Sequence, residues 1–365
     1  MKIIQFISSP APGGAEIYVR DLAVHMANLG HEILIIFLSD SKSIGRDQDF
    51  ENEFLAKLTE SNVKYSILGS RSRWDLFLCF FRLHKIIKDF CPDVLHAHLH
   101  YAVVYLSVFS KKIIYTHHSI QPGVPLFLYR LYNIRICKYI GISKACQKAL
   151  ASYTGKSIER IDNAVDSSRL NFNIPRPDER HEDNPIVILA VGRITPVKNY
   201  DMLVDVGAEL LRTDENFKII LAGEGAPEHV DRLKGRINAL GLSEHFQLLG
   251  QCNDISEQLS KADIFAMTSK FEGLPISLLE ASLAGLPAIV TNVGSCAEVI
   301  ERCQSGYFID SGNAIEFANK ARILIRDSEL RTRLSKSALQ KSNYYRIERS
   351  VTQHLDLYKK ISGAN

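Results

Sequence analysis

The sequence predicts an α/β protein built from two successive doubly wound lobes, and three observations lead there. At 365 residues the chain is too long for one ordinary core and fits two domains of roughly 150–200 residues. Short β runs alternate with helical stretches of ten or more residues, which implies βαβ units and a parallel sheet. The alternation breaks once, in a segment rich in proline and mixed charge, and then restarts.

In the first half, Ile3–Ser8 reads as a buried strand, Ala15–Leu29 as a helix and His31–Leu38 as a second strand. Val63–Leu68, Val94–Ala97, Lys112–Thr116 and Tyr139–Ile142 are further short β runs. The break is Asn171–Pro185, where Pro175, Pro177 and Pro185 stand among Arg176, Asp178, Glu179 and Arg180. Such a composition resists packing and marks a linker. Strands follow at Ile186–Val191, Phe217–Ala222, Phe246–Leu248, Ile264–Met267 and Ala288–Thr291. In Tyr345–Ile361 the residues Ile347, Val351, Leu355, Tyr358 and Ile361 recur at helical spacing. That apolar stripe has to be covered, so a terminal helix is expected to pack back on the body of the protein. The expected divisions are residues 1–168, 169–344 and the closing helix 345–365. A cleft between two lobes is where a ligand is expected.

Composition narrows the class further. The hydrophobic fraction of 46% and charged fraction of 23% are those of a soluble globular protein. Met1–Pro10 holds one lysine and a short apolar run with no small-residue cleavage site after it, so it reads as a first strand and not a signal peptide. No apolar run approaches the 18 or so residues that a spanning helix needs. The seven cysteines, Cys79, Cys91, Cys137, Cys146, Cys252, Cys296 and Cys303, are odd in number and lack a Cys-x-x-Cys pair. Reduced thiols in a cytoplasmic protein are the expectation. Net charge is only +3, but residues 61–160 hold fifteen Lys or Arg against Asp75, Asp89, Asp93 and Glu159. A basic first lobe suggests an anionic partner.

Open parallel sheets bind ligands at the carboxyl ends of their strands, and the loops there carry the informative residues. The first strand runs into Ser8-Ser9-Pro10-Ala11-Pro12-Gly13-Gly14-Ala15-Glu16. A Gly13-Gly14 pair at a helix N-terminus lets backbone amides approach an anion. The Gly-x-Gly-x-x-Gly spacing of a dinucleotide site is missing from this loop, and its glycines are not followed by the Gly-Lys-Ser/Thr of a Walker loop. In the second lobe Ile186–Val191 ends in Gly192-Arg193-Ile194-Thr195-Pro196-Val197-Lys198. Arg193 and Lys198, five residues apart after a strand, can grip adjacent phosphates. The most informative stretch is Phe271-Glu272-Gly273-Leu274-Pro275-Ile276-Ser277-Leu278-Leu279-Glu280. Pro275 fits the first turn of a helix, which places Glu272 in the entry loop and Glu280 on the second turn. First-turn amides can serve a phosphate, and an ionised carboxylate suits a vicinal diol.

These residues, with Pro92-Asp93-Val94-Leu95-His96-Ala97-His98, Thr116-His117-His118 and Ala284-Gly285-Leu286-Pro287, resemble family 4 of the retaining glycosyltransferases. The resemblance covers nearly the whole chain and implies the GT-B fold, with two Rossmann-like lobes, an acceptor-side first and a nucleotide-sugar-binding second. It implies that Arg193 and Lys198 bind the donor diphosphate and neutralise the leaving group. Glu280 would hold the nucleoside ribose and Glu272 the transferred sugar, while Gly13, Gly14 and the Gly273, Leu274, Pro275, Ile276 turn lie at the donor. His118 occupies the family's Thr-x-His position beside that sugar, with His117 as the alternative. Two departures stand out. The usual Pro-Asn-Gly turn is Asp162-Asn163-Ala164, and Gly-Gly-x-x-Glu is Gly294-Ser295-Cys296-Ala297-Glu298.

The resulting expectation is a retaining hexosyl transfer from a UDP- or GDP-linked sugar to a hydroxyl, in bacterial polysaccharide or glycolipid assembly. No cofactor, metal or nucleic acid is expected. Cations with helix amides can stabilise a diphosphate leaving group without a metal. The alternation His96, His98, His100 could form a metal site on one strand face, but a structural or acceptor-side role fits the tract better. The competing readings are a sugar-nucleotide epimerase of the same fold and a two-lobed binding protein. The acceptor is expected to be a glycan or lipid-linked. Arg71–Phe90 mixes Trp74, Phe77, Phe81 and Leu83 with Arg71, Arg73, Arg82, Lys85 and Lys88. Ser119–Lys138 adds Arg130, Arg135 and Lys138 beside Phe127, Tyr129 and Tyr132. Both suggest peripheral docking on an anionic inner membrane face.

Overall fold

The apolar runs of the first half form one parallel sheet and those of the second half form another. The computed structural model describes residues 1–69, 72, 75–106, 109, 113–170, 184–252 and 254–363. The expected linker therefore lies largely outside the described residues, as do Arg71, Arg73, Trp74 and Lys112. The chain makes two compact units, Met1–Val165 with Ile347–Asn365, and Asp166–Arg346.

In the first unit the strands are Lys2–Ile7 (β1), Glu32–Phe37 (β2), Lys64–Ile67 (β3), Val94–Ala97 (β4), Ile113–His117 (β5), Ile136–Gly141 (β6) and Ile158–Arg160 (β7). Their order is β3-β2-β1-β4-β5-β6-β7, with parallel pairing such as Ile3 beside Val94. The helices are Gly14–Asn28 (α1), Gln48–Glu60 (α2), Leu76–Phe90 (α3), His100–Leu106 (α4), Leu126–Arg135 (α5) and Lys144–Thr154 (α6). The central strands are buried on both faces, hence continuous apolar runs and not alternation. One core cluster joins Phe6, Ala97 and Tyr115 of the sheet to Leu83 of α3, Val103 of α4, Tyr129 of α5 and Leu150 of α6.

The second unit repeats the plan with Ile186–Val191 (β8), Phe217–Ala222 (β9), Phe246–Gly250 (β10), Ile264–Met267 (β11), Ala288–Thr291 (β12) and Gly306–Ile309 (β13). Their order is β10-β9-β8-β11-β12-β13. Its helices are Tyr200–Leu211 (α7), Pro227–Ala239 (α8), Ile255–Lys261 (α9), Ile276–Leu283 (α10), Cys296–Cys303 (α11), Ala314–Arg326 (α12) and Ser328–Lys341 (α13). The final helix, Ile347–Ser362 (α14), belongs to the first unit. It buries Ile347, Val351, Leu355 and Tyr358, and its Ser350 hydroxyl lies 2.6 Å from that of Tyr18 on α1.

The strands missed by the sequence reading, β7 and β13, lie at sheet edges. Each has one neighbour and exposed positions, so neither shows a continuous apolar run. Strand β6 begins at Ile136, three residues before the expected Tyr139, because Cys137 is exposed and Lys138 half-buried. Among the described residues no helix is long and apolar enough to cross a membrane. No two of the seven cysteines are joined in a disulfide.

Candidate active site

The carboxyl ends of β8 and β11 in the second unit carry most of the residues singled out by sequence. After β8 the chain must turn sharply, and Gly192 takes φ +144°, where an L side chain is strained. The facing Gly223, at φ +155°, would put a Cβ 2.0 Å from the Gly192 carbonyl oxygen. The loop then runs through exposed Arg193 to Lys198. Two bonds tie it to the next loop: the Thr268 hydroxyl donates to the Lys198 carbonyl at 3.1 Å, and the Lys270 amide donates to the Val197 carbonyl at 2.7 Å.

That tie sets the Lys198 ammonium 2.7 Å from Glu272 Oε1. The Ser269 hydroxyl donates to the same oxygen, also at 2.7 Å. Two polar contacts therefore converge on one oxygen of a half-buried carboxylate, which fixes its direction. The Glu272–Gly273 backbone is clamped from a third side. Gly294 stands at φ +58°, and a Cβ there would lie 1.9 Å from the Glu272 carbonyl oxygen. Ser295 donates its amide to the Gly273 carbonyl at 3.1 Å. Ser295 itself has φ −113°, so the second glycine of the usual pair is not required by this backbone. The same holds for Ala164, which is absent from the residues with positive φ.

Pro275 caps α10 from just outside its first turn, one position before the expected one; its carbonyl accepts from Leu278 and Leu279. Leu274 and Ile276 are buried and hold the entry turn to the core. Amides at the very start of a helix lack helical acceptors and point out of its N-terminal end. Glu280, on the second turn, is only 5% exposed. Arg169 meets it, Nη2 to Oε1 at 3.1 Å. Sequence reasoning missed Arg169 and Ser269; a buried carboxylate demands a cation, but nothing in the spacing says which one.

The first unit contributes a different kind of site. Gly13 precedes α1 in an extended conformation, φ −163°. Glu16 folds back over it, so a Cβ on Gly13 would lie 2.2 Å from a Glu16 carboxylate oxygen, and Ser8 donates to Glu16 at 2.8 Å. At the end of β5, His117 is committed on both nitrogens, to Tyr115 at 2.9 Å and to the Gln121 carbonyl at 2.9 Å. His118 Nε2 lies 3.2 Å from His98 Nδ1, and its own Nδ1 is buried without a hydrogen bond among the described residues. Burial holds its pKa at about 3, helped by the nearby His117 and His354, so the ring is neutral at ordinary pH. Tyr18 of α1 packs edge-on to it with ring centroids 6.2 Å apart.

His96 is likewise committed, to Tyr358 at 2.6 Å and Thr116 at 2.7 Å. The rings of His96 and His98 pack at a tilt with centroids 4.0 Å apart, but His100 starts α4 and does not continue their strand face. Among the described residues no three His, Cys, Asp or Glu side chains gather to hold a metal ion. The structure thus joins Lys198 to Glu272 directly, and Glu280 to them through the 272–280 segment. Gly13, Gly14 and His118 stand in the other unit.

The chain matches the family described as Glycosyl transferases group 1 over residues 172–341, and Glycosyltransferase Family 4 over residues 12–169. It is 24% identical to the N-acetyl-alpha-D-glucosaminyl L-malate synthase of Bacillus anthracis, across 96% of this chain and 94% of that one. An alpha-1,4-N-acetyl-D-galactosaminyltransferase of Campylobacter jejuni, named for a PP-undecaprenol-linked glycan, is 24% identical over the full length of both. Among solved structures, HepE of Anabaena in complex with UDP and glucose superposes with a TM-score of 0.82 at 21% identity, covering 99% of this chain and 100% of that one. That likeness carries the GT-B fold.

Proposed function

The chain belongs to the group 1, family 4 glycosyltransferases of the GT-B fold, and from that premise we propose a retaining transfer of a hexosyl group from a UDP- or GDP-linked donor. The hydroxyl acceptor is a glycan or a lipid-linked sugar in a bacterial surface polysaccharide or glycolipid. The observation that carries the donor site is the 2.7 Å contact between Lys198 and Glu272, made by two loops that the structure pins together. It sets a cation and a hydroxyl-binding carboxylate side by side, as a sugar diphosphate requires.

Leaving-group departure creates an oxocarbenium-like carbon and a diphosphate. Arg193, Lys198 and the first amides of α10 supply positive potential at the diphosphate. Glu280 accepts from the two ribose hydroxyls, while Glu272, whose Oε1 already holds Lys198 and Ser269, accepts from hydroxyls of the transferred sugar through Oε2. His118, neutral and with its Nδ1 uncommitted, is suited to hydrogen-bond a sugar hydroxyl. Gly13 and Gly14, without side chains, let the start of α1 come close to an anion. The relatives support transfer over the epimerase alternative, since both named ones are synthases or transferases.

A panel of UDP- and GDP-sugars with soluble glycan acceptors tests the proposal. Nucleotide release should depend on an acceptor, and the product's anomeric configuration should match the donor's by NMR. Release without an acceptor, giving a free epimerised sugar, overturns transfer; an inverted anomer overturns retention.

A further inference from the structure

One helix of the first unit carries a pattern that the donor site does not use. Helix α5 has two apolar faces. Tyr129 and Tyr132 are buried in the core, which removes them from the docking segment expected from sequence, as burial also removes Leu83 of α3. On the opposite side Leu126, Phe127, Leu131 and Ile134 are 55%, 65%, 57% and 72% exposed. With Arg130 and Arg135 they recur one helical turn apart, so they make a single outward stripe. A surface helix ordinarily puts polar groups there. On α3, Phe77 and Phe81 are also outward, 80% and 69% exposed. The inner residues of α3 and α5 enter the same core cluster, so these outer surfaces look to one side of the sheet.

The stretch of chain that carries this stripe is strongly basic. Between Asp93 and Glu159 the chain has eight Lys or Arg and no Asp or Glu. The loop that leads into α5 is also tied to the end of β5. The carbonyl of Gln121 is held by His117 at 2.9 Å, and that of Ile120 accepts from Tyr153 at 2.5 Å. The stripe thus begins a few residues beyond His118 on an anchored segment.

We propose that the outward stripe of α5, with the outward phenylalanines of α3, seats in the headgroup region of an anionic lipid surface. It brings the His118 end of the first unit to an acceptor carried in that surface. This deepens the lipid-linked acceptor reading and rests on it. On α5 the apolar side chains are interspersed with Arg130 and Arg135 and with no acid, which matches a surface that offers acyl chains and acidic headgroups together. A second copy of this chain would set like charges against each other, which disfavours self-association.

Co-sedimentation of the full chain decides the matter. The probes are phosphatidylcholine vesicles and vesicles with about one-third phosphatidylglycerol. Wild type should pellet with the anionic vesicles at low salt and far less with neutral ones or at high salt. Arg130→Ser with Arg135→Ser should weaken that binding about 25-fold, about fivefold per charge. Leu131→Ser with Ile134→Ser should weaken it at least as much. All four positions are exposed, so circular dichroism and turnover on a water-soluble acceptor should stay at wild-type level. Negligible pelleting of wild type with anionic vesicles, or equal pelleting of the variants, overturns the proposal. So does a dimer in light scattering that the apolar variant dissolves. Vesicle binding without turnover on any sugar donor would instead fail the transferase reading and leave the docking surface standing.

Discussion

The two units present opposite electrostatic designs at the ends of their sheets. In the second, charged groups are paired with each other: Lys198 with Glu272 at 2.7 Å and Arg169 with Glu280 at 3.1 Å. In the first, the buried histidine cluster of His96, His98, His118 and His354 is uncharged, every member held below its ordinary pKa by burial. The difference teaches how the work divides. A diphosphate brings charge and needs cations whose own charge is balanced until it arrives. A sugar or acceptor hydroxyl brings none, and a neutral imidazole can donate or accept without a counter-ion.

The largest effect should come from removing the cations. Arg193→Ala with Lys198→Ala should lower turnover about a thousandfold or more, since each donor to a developing anion contributes about 10²–10³. EDTA should leave most wild-type activity intact. Complete inhibition by EDTA, reversed by magnesium, would show that a metal and not the loop neutralises the diphosphate.

The paired carboxylates should then separate by kinetic parameter. Glu280→Gln should raise the donor KM about ten- to a hundredfold, as expected for losing hydrogen bonds to a charged group. Glu272→Gln should mainly lower kcat. Arg169→Met should resemble a milder Glu280→Gln, with a donor KM about tenfold higher, because it frees the buried carboxylate it positions. Arg169→Lys should recover part of that loss. Isothermal titration with UDP beside steady-state kinetics reads both, and wild-type values in all of these variants would remove the 272–280 segment from the donor site.

Much of this was legible in sequence, for reasons that also mark the limits. Buried parallel strands such as Ile264–Met267 and Ala288–Thr291 print as apolar runs whose ends coincide with the observed strands. Edge strands β7 and β13 do not. Glycines at 192 and 294 are readable because no other residue fits their φ and contacts. The partners Arg169 and Ser269 were hidden, since a side chain's direction follows from packing and not from spacing. Exposure was hidden too: sequence could not tell outward Leu131 and Ile134 from inward Tyr129 and Tyr132 on one short helix. The Ser295 and Ala164 departures, worrying on paper, occur where the backbone asks for no glycine.

The smallest effect is on stability and belongs to the first unit alone. His118 and His354 have pKa values lowered to about 3 and about 4, His117 to about 4, all chiefly by burial. His354 on α14 donates from Nδ1 to the Ser350 carbonyl at 2.9 Å. Around it stand His96 from β4, Tyr18 from α1 and Tyr358 from its own helix, none of them an acid that could welcome a proton. Each imidazole therefore binds a proton more weakly folded than unfolded. Between about pH 4 and the ordinary value of 6.5 the unfolded chain holds the extra protons. Stability is then complete above pH 6.5 and falls as pH drops toward 4. Far-UV circular dichroism during urea unfolding reads the stability. The midpoint should fall steadily from pH 7 to 4. His354→Gln, whose amide can still donate to Ser350, should reduce the slope by about one proton. A flat wild-type profile over that range, or an unchanged slope in the variant, would mean that the histidines are not neutral in the folded unit.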